Sequence, residues 1–280
     1  MVDSCLDCEY CKSDEENYCA KGMTGTYNGV KEHGRVGGNQ AVRTHGGYSG
    51  SQVTHEHFII KIPEGMSLEK TAPILCAGIT MYDPLRHWGF TKKEAGSKVV
   101  GIVGIGGLGT MGIKIANALG HHVVAISTSA SKKELAHQKG AKSFVVSSSS
   151  ESIQALDKKC DIILNTVSVP HDLNVYLPML KTNGKLIQLG GVAAPHSVSQ
   201  FPLMMKRLTI AGSLIGGIEA TQEVVDLCFK HKIYPDIQLI EAKDIDFAWK
   251  KLREGKNDDG VRYVIDIKKS LLNKDFMVHE

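Results

Sequence analysis

The stretch at residues 97–127, SKVVGIVGIGGLGTMGIKIANALGHHVVAIS, contains the strongest fold signal in the sequence. A β-branched apolar run at 98–103 is typical of a buried strand. It leads into a G-x-G-x-x-G pattern at 104–109, a helical stretch with an apolar stripe, and a second apolar strand at 122–126. Between a strand and a helix, such glycines allow a tight turn and close backbone approach, and the helix N-terminus attracts a pyrophosphate. The stretch therefore predicts a βαβ unit that binds a dinucleotide.

The end of the second strand indicates which dinucleotide is bound. NAD-binding proteins usually place an Asp or Glu there, which accepts hydrogen bonds from the ribose hydroxyls. This sequence reads STSASKK at 127–133, with hydroxyl and ammonium groups and no carboxylate. Such groups donate hydrogen bonds to a 2′-phosphate and offset its charge, so the segment favours NADP(H) over NAD(H). The alternative is a solvated helix start whose lysines serve solubility.

The alternation of strands and helices continues along the chain. Further strands are predicted at 144–146, 161–166, 185–190 and 208–212, and helices at 132–139, 151–157, 172–181 and 219–230. Parallel strands joined by crossover helices make an α/β protein with a doubly wound (Rossmann) sheet. Ligands of such sheets lie beyond the carboxyl ends of the strands, where Thr166, Gly190 and Ser213 are placed.

Four of the seven cysteines, Cys5, Cys8, Cys11 and Cys19, lie at the start of the sequence with the spacing C-x2-C-x2-C-x7-C. Four thiolates at short spacing can close a tetrahedral Zn²⁺ site. Disulfides are a second explanation, although such short loops would strain the bridges. An iron–sulfur cluster is a third, but the fourth cysteine comes too late for a ferredoxin run and no Pro follows it. The polar residues before Cys19 favour a lobe held in shape by a structural zinc.

The composition excludes several classes of function. The 280 residues are 42% hydrophobic, enough for one large domain or two modest ones. A net charge of +3, from 33 basic and 30 acidic side chains, does not favour a nucleic acid or an anionic membrane as partner. No apolar run reaches the roughly 18 residues of a membrane helix, and the first residues do not resemble a signal peptide. We therefore expect a cytoplasmic protein, in a compartment that disfavours disulfides.

Several longer motifs resemble a known family, among them CLDCEYCKSDEENYC, APILCAGITMYDPLRHWG, VGIGGLGTMG, DIILNTV and IAGSLIGG. The sequence resembles the zinc-dependent medium-chain alcohol dehydrogenases, most of all the cinnamyl-alcohol-dehydrogenase-like branch with its NADP-dependent aldehyde reductases. The resemblance implies a partial GroES-like catalytic domain with a zinc lobe at 1–75, an NADP-binding Rossmann domain at 76–217, and a segment at 218–280 that returns to the catalytic domain.

The resemblance also implies roles for individual residues. The four N-terminal cysteines match the ligands of the family's structural zinc. Cys76 matches a ligand of the catalytic zinc, and Thr80 matches a residue that contacts the nicotinamide. The residues that match the family's pyrophosphate cradle are Gly104, Ile105, Gly106, Gly107, Leu108 and Gly109. Further matches are Ser127, Thr128, Ser129, Lys132 and Lys133 at the 2′-phosphate and Thr166, Gly190, Ser213, Leu214 and Ile215 along the cofactor cleft, with an inexact match for Arg262 near the phosphates.

The family's remaining zinc ligands, a Cys and a His-Glu pair, precede the four-cysteine lobe in its members. Met1 aligns just before the lobe, so we expect an N-terminally truncated member whose catalytic zinc set is incomplete, with catalytic zinc bound in the full-length form alone. Surface or turn roles are expected for His33, His45, His55 and His57 rather than replacement of those ligands.

Two functional hypotheses follow from the resemblance. The first is an NADP(H)- and zinc-dependent alcohol dehydrogenase that interconverts primary alcohols and aldehydes. The alternative is a catalytically inactive NADP(H)-binding protein that keeps only the structural zinc. A zinc-free quinone reductase of the same superfamily is disfavoured by the cysteine lobe and Cys76. The family forms homodimers through the last strand of its sheet, and the apolar stretch LTIAGSLIGG at 208–217 is typical of such an edge.

Overall fold

Most of the chain is defined in the computed structural model, which describes residues 1–31, 42–48, 50–92, 96–157, 159–254 and 260–272. Their strands are β1 (Tyr27–Lys31), β2 (Val42–His45), β3 (Val99–Val103), β4 (His122–Ser127), β5 (Ser143–Val146), β6 (Cys160–Asn165), β7 (Leu180–Gln188), β8 (Thr209–Gly212), β9 (Ile237–Ile240) and β10 (Arg262–Ile265). Their α-helices are α1 (Glu9–Lys12), α2 (Leu68–Thr71), α3 (Ile79–His87), α4 (Gly107–Ala118), α5 (Lys133–Gln138), α6 (Ser150–Gln154), α7 (Gln200–Lys206), α8 (Ile218–His231), α9 (Ile245–Arg253) and α10 (Ile267–Leu272). None of these helices combines the length and the apolar character that crossing a membrane requires.

A six-stranded parallel sheet in the order β5-β4-β3-β6-β7-β8 forms the centre of the protein. The strand order reverses between β3 and β6, which confirms the predicted doubly wound α/β fold. Val103 at the end of β3 is in register with Ile126 of β4 and Asn165 of β6. The segments that follow these three strands therefore begin side by side at the carboxyl edge of the sheet. Two smaller pairs lie outside it, antiparallel β1-β2 and parallel β9-β10.

The predicted helix at 172–181 is wrong. The chain forms a single 3₁₀ turn at Leu173–Tyr176 and then enters β7 at Leu180. Pro178 lacks the N–H group that a helix interior needs, and its ring hinders the preceding turn. The apolar spacing that favoured a helix arises because Leu173, Tyr176 and Leu177 are all buried against the sheet.

Two apolar layers cover the two faces of the sheet. Alternate residues of β6 point to opposite sides, so Ile162 belongs to one layer and Ile163 to the other. The first layer includes Leu85 of α3, Met111 of α4 and Val224 of α8. Helix α8 begins just after the predicted domain boundary at residue 217, yet it packs in the same apolar core as the Rossmann sheet.

A buried histidine connects three elements of this core. The His121 ring donates from Nε2 to the carbonyl oxygen of Phe90, in the turn after α3, at 2.7 Å. Its Nδ1 accepts from the N–H group of Lys98, just before β3, at 3.3 Å. Both ring nitrogens are therefore satisfied by backbone groups.

We expect His121→Ala to lower the free energy of unfolding by about 2–4 kcal/mol, because it leaves buried backbone groups unpaired and opens a cavity. The neighbouring His122 is exposed, and its ring bonds only to Ser143 Oγ among the described residues. His122→Ala is therefore a matched control, with an expected change within about 0.5 kcal/mol. Chemical denaturation measures both, and equal midpoints for the two variants would contradict the role of His121.

Candidate functional site

The four N-terminal cysteines form one compact cluster. Their sulfur atoms all lie within 4.8 Å of one another, with Cys5 Sγ and Cys8 Sγ at 3.8 and 3.5 Å from Cys11 Sγ. Four sulfurs about 2.3 Å from a central zinc would be about 3.8 Å apart, so the cluster has the size of a tetrahedral zinc site. None of the four cysteines is in a disulfide. The donor set and its spacing therefore fit a structural zinc.

Backbone N–H groups surround the cluster and favour its charged form. Asp7 and Cys8 donate to Cys5 Sγ at 3.5 and 3.3 Å, and these bonds lower the pKa of the Cys5 thiol. The N–H groups of Cys11 and Ala20 lower the pKa of the Cys8 thiol to about 6. Burial raises the pKa of Cys11 to about 12, and a bound divalent cation would offset that cost by its charge.

The glycine-rich loop leaves open space at the start of α4. Gly104 adopts φ +88°, a left-handed conformation that favours glycine. A Cβ atom on Gly109 would lie 1.8 Å from the carbonyl oxygen of Gly104, so the helix and the strand approach as closely as glycine permits. A Cβ on Gly106 would meet no atom within 4 Å. The N-cap residue of this helix, Gly106, has no side chain to cap it. The loop is thus shaped to receive a pyrophosphate from the Gly106 side.

Arg262 lies against this loop. A Cβ atom on Gly107 would be 2.8 Å from Arg262 Nε. That nitrogen is buried and has no hydrogen-bond partner among the described residues. An unpaired buried N–H of a guanidinium beside an open helix N-terminus is suited to a phosphate oxygen. Arg262, which the sequence matched only inexactly, thus lies at the predicted phosphate site. The chemistry of the residues at this site fits a dinucleotide.

The segment after β4 presents hydroxyl groups and a lysine. The N–H group of Ser129 donates to Ser127 Oγ at 3.2 Å, which folds the segment into a tight turn. Ser129 Oγ and Ser131 Oγ are 2.7 Å apart. Lys133 is exposed at the start of α5. No carboxylate interrupts this set, so its chemistry suits a 2′-phosphate.

The predicted cleft residues lie at the ends of β6, β7 and β8. Thr166 donates from Oγ1 to the carbonyl oxygen of Val103 at 2.8 Å. A Cβ atom on Gly190 would lie 2.2 Å from the carbonyl oxygen of Val167, so glycine is required there. Ser213 Oγ donates to Asp83 Oδ2 at 3.2 Å. The structure thus brings these residues together at one edge of the sheet.

Cys76 and Thr80 lie on consecutive turns, at the helical turn Ile74–Gly78 and the start of α3. Thr80 donates from Oγ1 to the carbonyl oxygen of Cys76 at 2.7 Å. Cys76 is exposed, and in the described part of the chain it forms no cluster of potential metal ligands with other side chains. The described residues therefore do not fit a catalytic zinc at Cys76.

The histidines near Cys76 in sequence have other partners or positions. His57 Nε2 is 2.7 Å from Glu16 Oε1, and His55 Nδ1 accepts from the N–H group of His57. His45 is exposed in β2, and His33 lies outside the described residues. Sequence reasoning gave no contacts for several polar side chains whose partners are distant in sequence: Asp83, Asp14, Glu16, Asn17 and Tyr18.

The comparisons with known proteins agree with this geometry. Residues 107–230 match the family model described as zinc-binding dehydrogenase. The aldehyde reductase YahK of Escherichia coli strain K12 is 46% identical over 271 residues, which make up 95% of this chain and 73% of that protein. The chain belongs to the zinc-dependent medium-chain alcohol dehydrogenases.

Solved structures of this dehydrogenase family have the same fold. Cinnamyl alcohol dehydrogenase SbCAD4 from Sorghum bicolor superposes with a TM-score of 0.87 at 33% identity, covering 96% of this chain and 73% of that one. The cinnamyl alcohol dehydrogenase from Helicobacter pylori, complexed with NADP(H), gives a TM-score of 0.83 at 38% identity, covering 96% and 74%. Membership of the family makes this dehydrogenase an oxidoreductase.

We expect the purified dehydrogenase to contain about one tightly bound zinc per chain at the four-cysteine cluster. Cys11→Ala removes one ligand, so the zinc should be lost and the melting temperature should fall. Cys228, buried in α8 away from the cluster, provides the control, and Cys228→Ala should keep its zinc. Elemental analysis measures the metal; full zinc content in Cys11→Ala would refute the assignment.

Substitutions at two glycines of the loop should affect different properties, one the melting temperature and the other dinucleotide binding. Gly109→Ala places a methyl group onto a backbone oxygen, so it should lower the melting temperature strongly. Gly106→Ala adds a methyl group in open space and should leave the melting temperature nearly unchanged. It should weaken dinucleotide binding at least roughly tenfold, since the methyl group occupies the pyrophosphate space. Thermal melts and NADPH titrations of both variants test this, and unweakened binding by Gly106→Ala would refute the cradle.

Proposed function

We propose that this dehydrogenase interconverts primary alcohols and aldehydes with NADP(H). The observation that carries the proposal is the open glycine loop beside the unpaired Nε of Arg262, followed by hydroxyl and ammonium groups after β4. Support for the substrate class comes from relatives named as an aldehyde reductase and as cinnamyl alcohol dehydrogenases. Support for the cofactor comes from the NADP(H) complex of the Helicobacter relative.

The chain's own residues would hold the cofactor from one end to the other. Residues 104–109 and Arg262 would bind the pyrophosphate. Ser127, Thr128, Ser129, Lys132 and Lys133 would bind the 2′-phosphate, while Thr166, Gly190 and residues 213–215 would line the cleft. When bound, NADP(H) supplies or accepts the hydride. Helix α3 would order the nicotinamide end, because it carries Thr80 and also Asp83, which holds Ser213.

The two zinc positions differ in what the described residues supply. The four-cysteine cluster provides a complete ligand set, and we assign it a structural zinc. A catalytic zinc needs three protein ligands and an open position, and Cys76 provides one of them. We therefore derive no catalytic step through a metal at Cys76. This observation favours a second candidate function, a protein that binds NADP(H) without turnover.

Measurement of NADPH oxidation with a panel of aldehydes, together with zinc per chain, distinguishes the two candidates. Aldehyde-dependent oxidation of NADPH supports the first candidate, an active dehydrogenase. Loss of turnover in Cys76→Ala would show that the activity depends on the Cys76 thiol. NADPH binding with about one zinc and no turnover supports the second candidate. Absence of NADPH binding would refute both.

We expect tighter binding of NADPH than of NADH. Lys133→Glu should weaken NADPH binding roughly tenfold and leave NADH binding little changed, because the lost contact is with the 2′-phosphate. Lys142, exposed at the opposite edge of the sheet before β5, provides a charge-matched control in Lys142→Glu. Isothermal titration of both nucleotides measures these affinities. Tighter binding of NADH by the unsubstituted protein would overturn the cofactor assignment.

The partner proposed for this chain is a second copy of itself. Strand β8 lies at one end of the sheet order, so one of its backbone edges has no neighbour in that sheet. Most of its residues are only half-buried. An edge of this kind can pair with its copy across a two-fold axis, which supports a homodimer.

A further inference from the structure

The cysteine lobe, residues 3–24, is closed by the bridge between Asp3 and Thr24 and contacts the segment that follows β8. Two of its side chains hold both backbone groups of Leu214. The N–H group of Leu214 donates to Tyr18 Oη at 2.9 Å, and Asn17 Nδ2 donates to the carbonyl oxygen of Leu214 at 2.8 Å. Strand β8 ends at Gly212, so Leu214 lies outside the hydrogen bonds between strands. The bonds from Tyr18 and Asn17 take their place.

The next residue, Ile215, adopts φ +47°. A β-branched side chain rarely occupies this left-handed region, and it does so where the surroundings impose it. The peptide that leads into Ile215 is the one whose oxygen Asn17 holds. A strained residue therefore sits next to a backbone position clamped by the lobe.

The lobe also makes backbone contact beyond Ile215. A Cβ atom on Gly217 would lie 2.0 Å from the carbonyl oxygen of Asp14. A Cβ on Gly216 would lie 2.6 Å from Ile79 Cδ1. A side chain at Gly217 would clash with the lobe's backbone, and one at Gly216 would displace side chains of α3, so residues 216–217 are enclosed between the lobe and α3.

The first turn of α8 is capped by carboxylates from the same lobe. Glu16 Oε2 accepts from the N–H group of Ile218 at 3.1 Å. The two oxygens of Asp14 accept from Glu219 at 2.6 Å and from Ala220 at 3.1 Å. These groups are the free donors of a helix N-terminus, where negative charge is favourable. The lobe therefore fixes the segment 214–220 from both ends.

The side chain of Asn17 makes one hydrogen bond among the described residues, the bond to Leu214. It is 6% exposed, and its Oδ1 is buried without a partner in the described part of the chain. Its amide nitrogen bonds to the oxygen of Leu214. An amide with one free acceptor in a buried position is poorly placed for stability alone.

We propose that Asn17 and Tyr18 are positioning residues for the dinucleotide: they hold Leu214 and Ile215 in the conformation that lines the cofactor cleft. This inference rests on the proposed NADP(H) function. Both residues belong to the 3₁₀ turn Glu16–Tyr18, which ends at the cluster member Cys19. Cys19, Tyr18 and Leu214 would therefore connect a zinc held by the four-cysteine cluster to the affinity for the cofactor.

Substitutions within the lobe test the contact directly. Tyr18→Phe and Asn17→Ala should each weaken NADPH binding about threefold to tenfold, since each removes one hydrogen bond to Leu214. Zinc content should stay unchanged in both variants. Tyr10→Phe is the matched control, because Tyr10 lies in the same lobe and no hydrogen bond of its hydroxyl is found among the described residues.

The outcomes separate this inference from the proposed function. Unweakened NADPH binding by both variants, with the unsubstituted protein binding normally, would overturn the inference and leave the proposed function standing. No NADPH binding by the unsubstituted protein would overturn both. Loss of zinc in either variant would show that the residue supports the cluster instead, which also overturns the positioning role.

Metal removal tests the route through the cluster. In Cys76→Ala protein, which excludes metal at that thiol, zinc chelation should speed hydrogen exchange of the amides at 214–220. It should also weaken NADPH binding at least fivefold, with recovery when zinc is restored. The Asn17→Ala, Tyr18→Phe double variant should respond less to chelation, because its contacts with Leu214 are already absent. Unchanged exchange and affinity after chelation would overturn the coupling.

Discussion

The close approach of Gly109 to the carbonyl oxygen of Gly104 is the constraint on which the rest of the site depends. A single methyl group at Gly109 would lie 1.8 Å from that oxygen. Because the helix can pack this tightly against the strand, the N-terminus of α4 points to the carboxyl edge of the sheet. The ends of β4, β6, β7 and β8 meet at the same edge, so the turn faces the strand ends beyond which ligands of such sheets lie.

A second set of contacts joins the cysteine lobe to the segment that follows β8. The lobe's side chains reach partners 196 and 197 residues away in sequence at Leu214. Arg86 reinforces the junction, since its guanidinium pairs with Asp14, Glu219 and Glu223 at 2.9 to 3.2 Å. Charged groups gathered at one helix N-terminus attach the lobe to α8, which shares the core of the Rossmann sheet.

The two metal positions differ in how their ligands are supplied. A structural cluster can be built within 15 consecutive residues, because short spacing brings four thiolates to one point. A catalytic site needs ligands from separate elements that converge on an open position. Cys76 supplies one such ligand, and among the described residues no second ligand converges on it. Family membership therefore follows from local motifs, whereas a catalytic metal site depends on ligands that folding brings together.

The sequence by itself determined the βαβ unit, the parallel sheet, the cysteine cluster and the family, because these depend on local spacing and alternation. It misassigned residues 172–181, where burial against the sheet produced a helical spacing that Pro178 does not allow. Tertiary structure alone decided that α8 shares the Rossmann core and that Asn17 and Tyr18 hold Leu214. It also placed Arg262, which the sequence matched only inexactly, beside Gly107. Polar residues carry no periodic signal, and their partners become neighbours only when the chain folds.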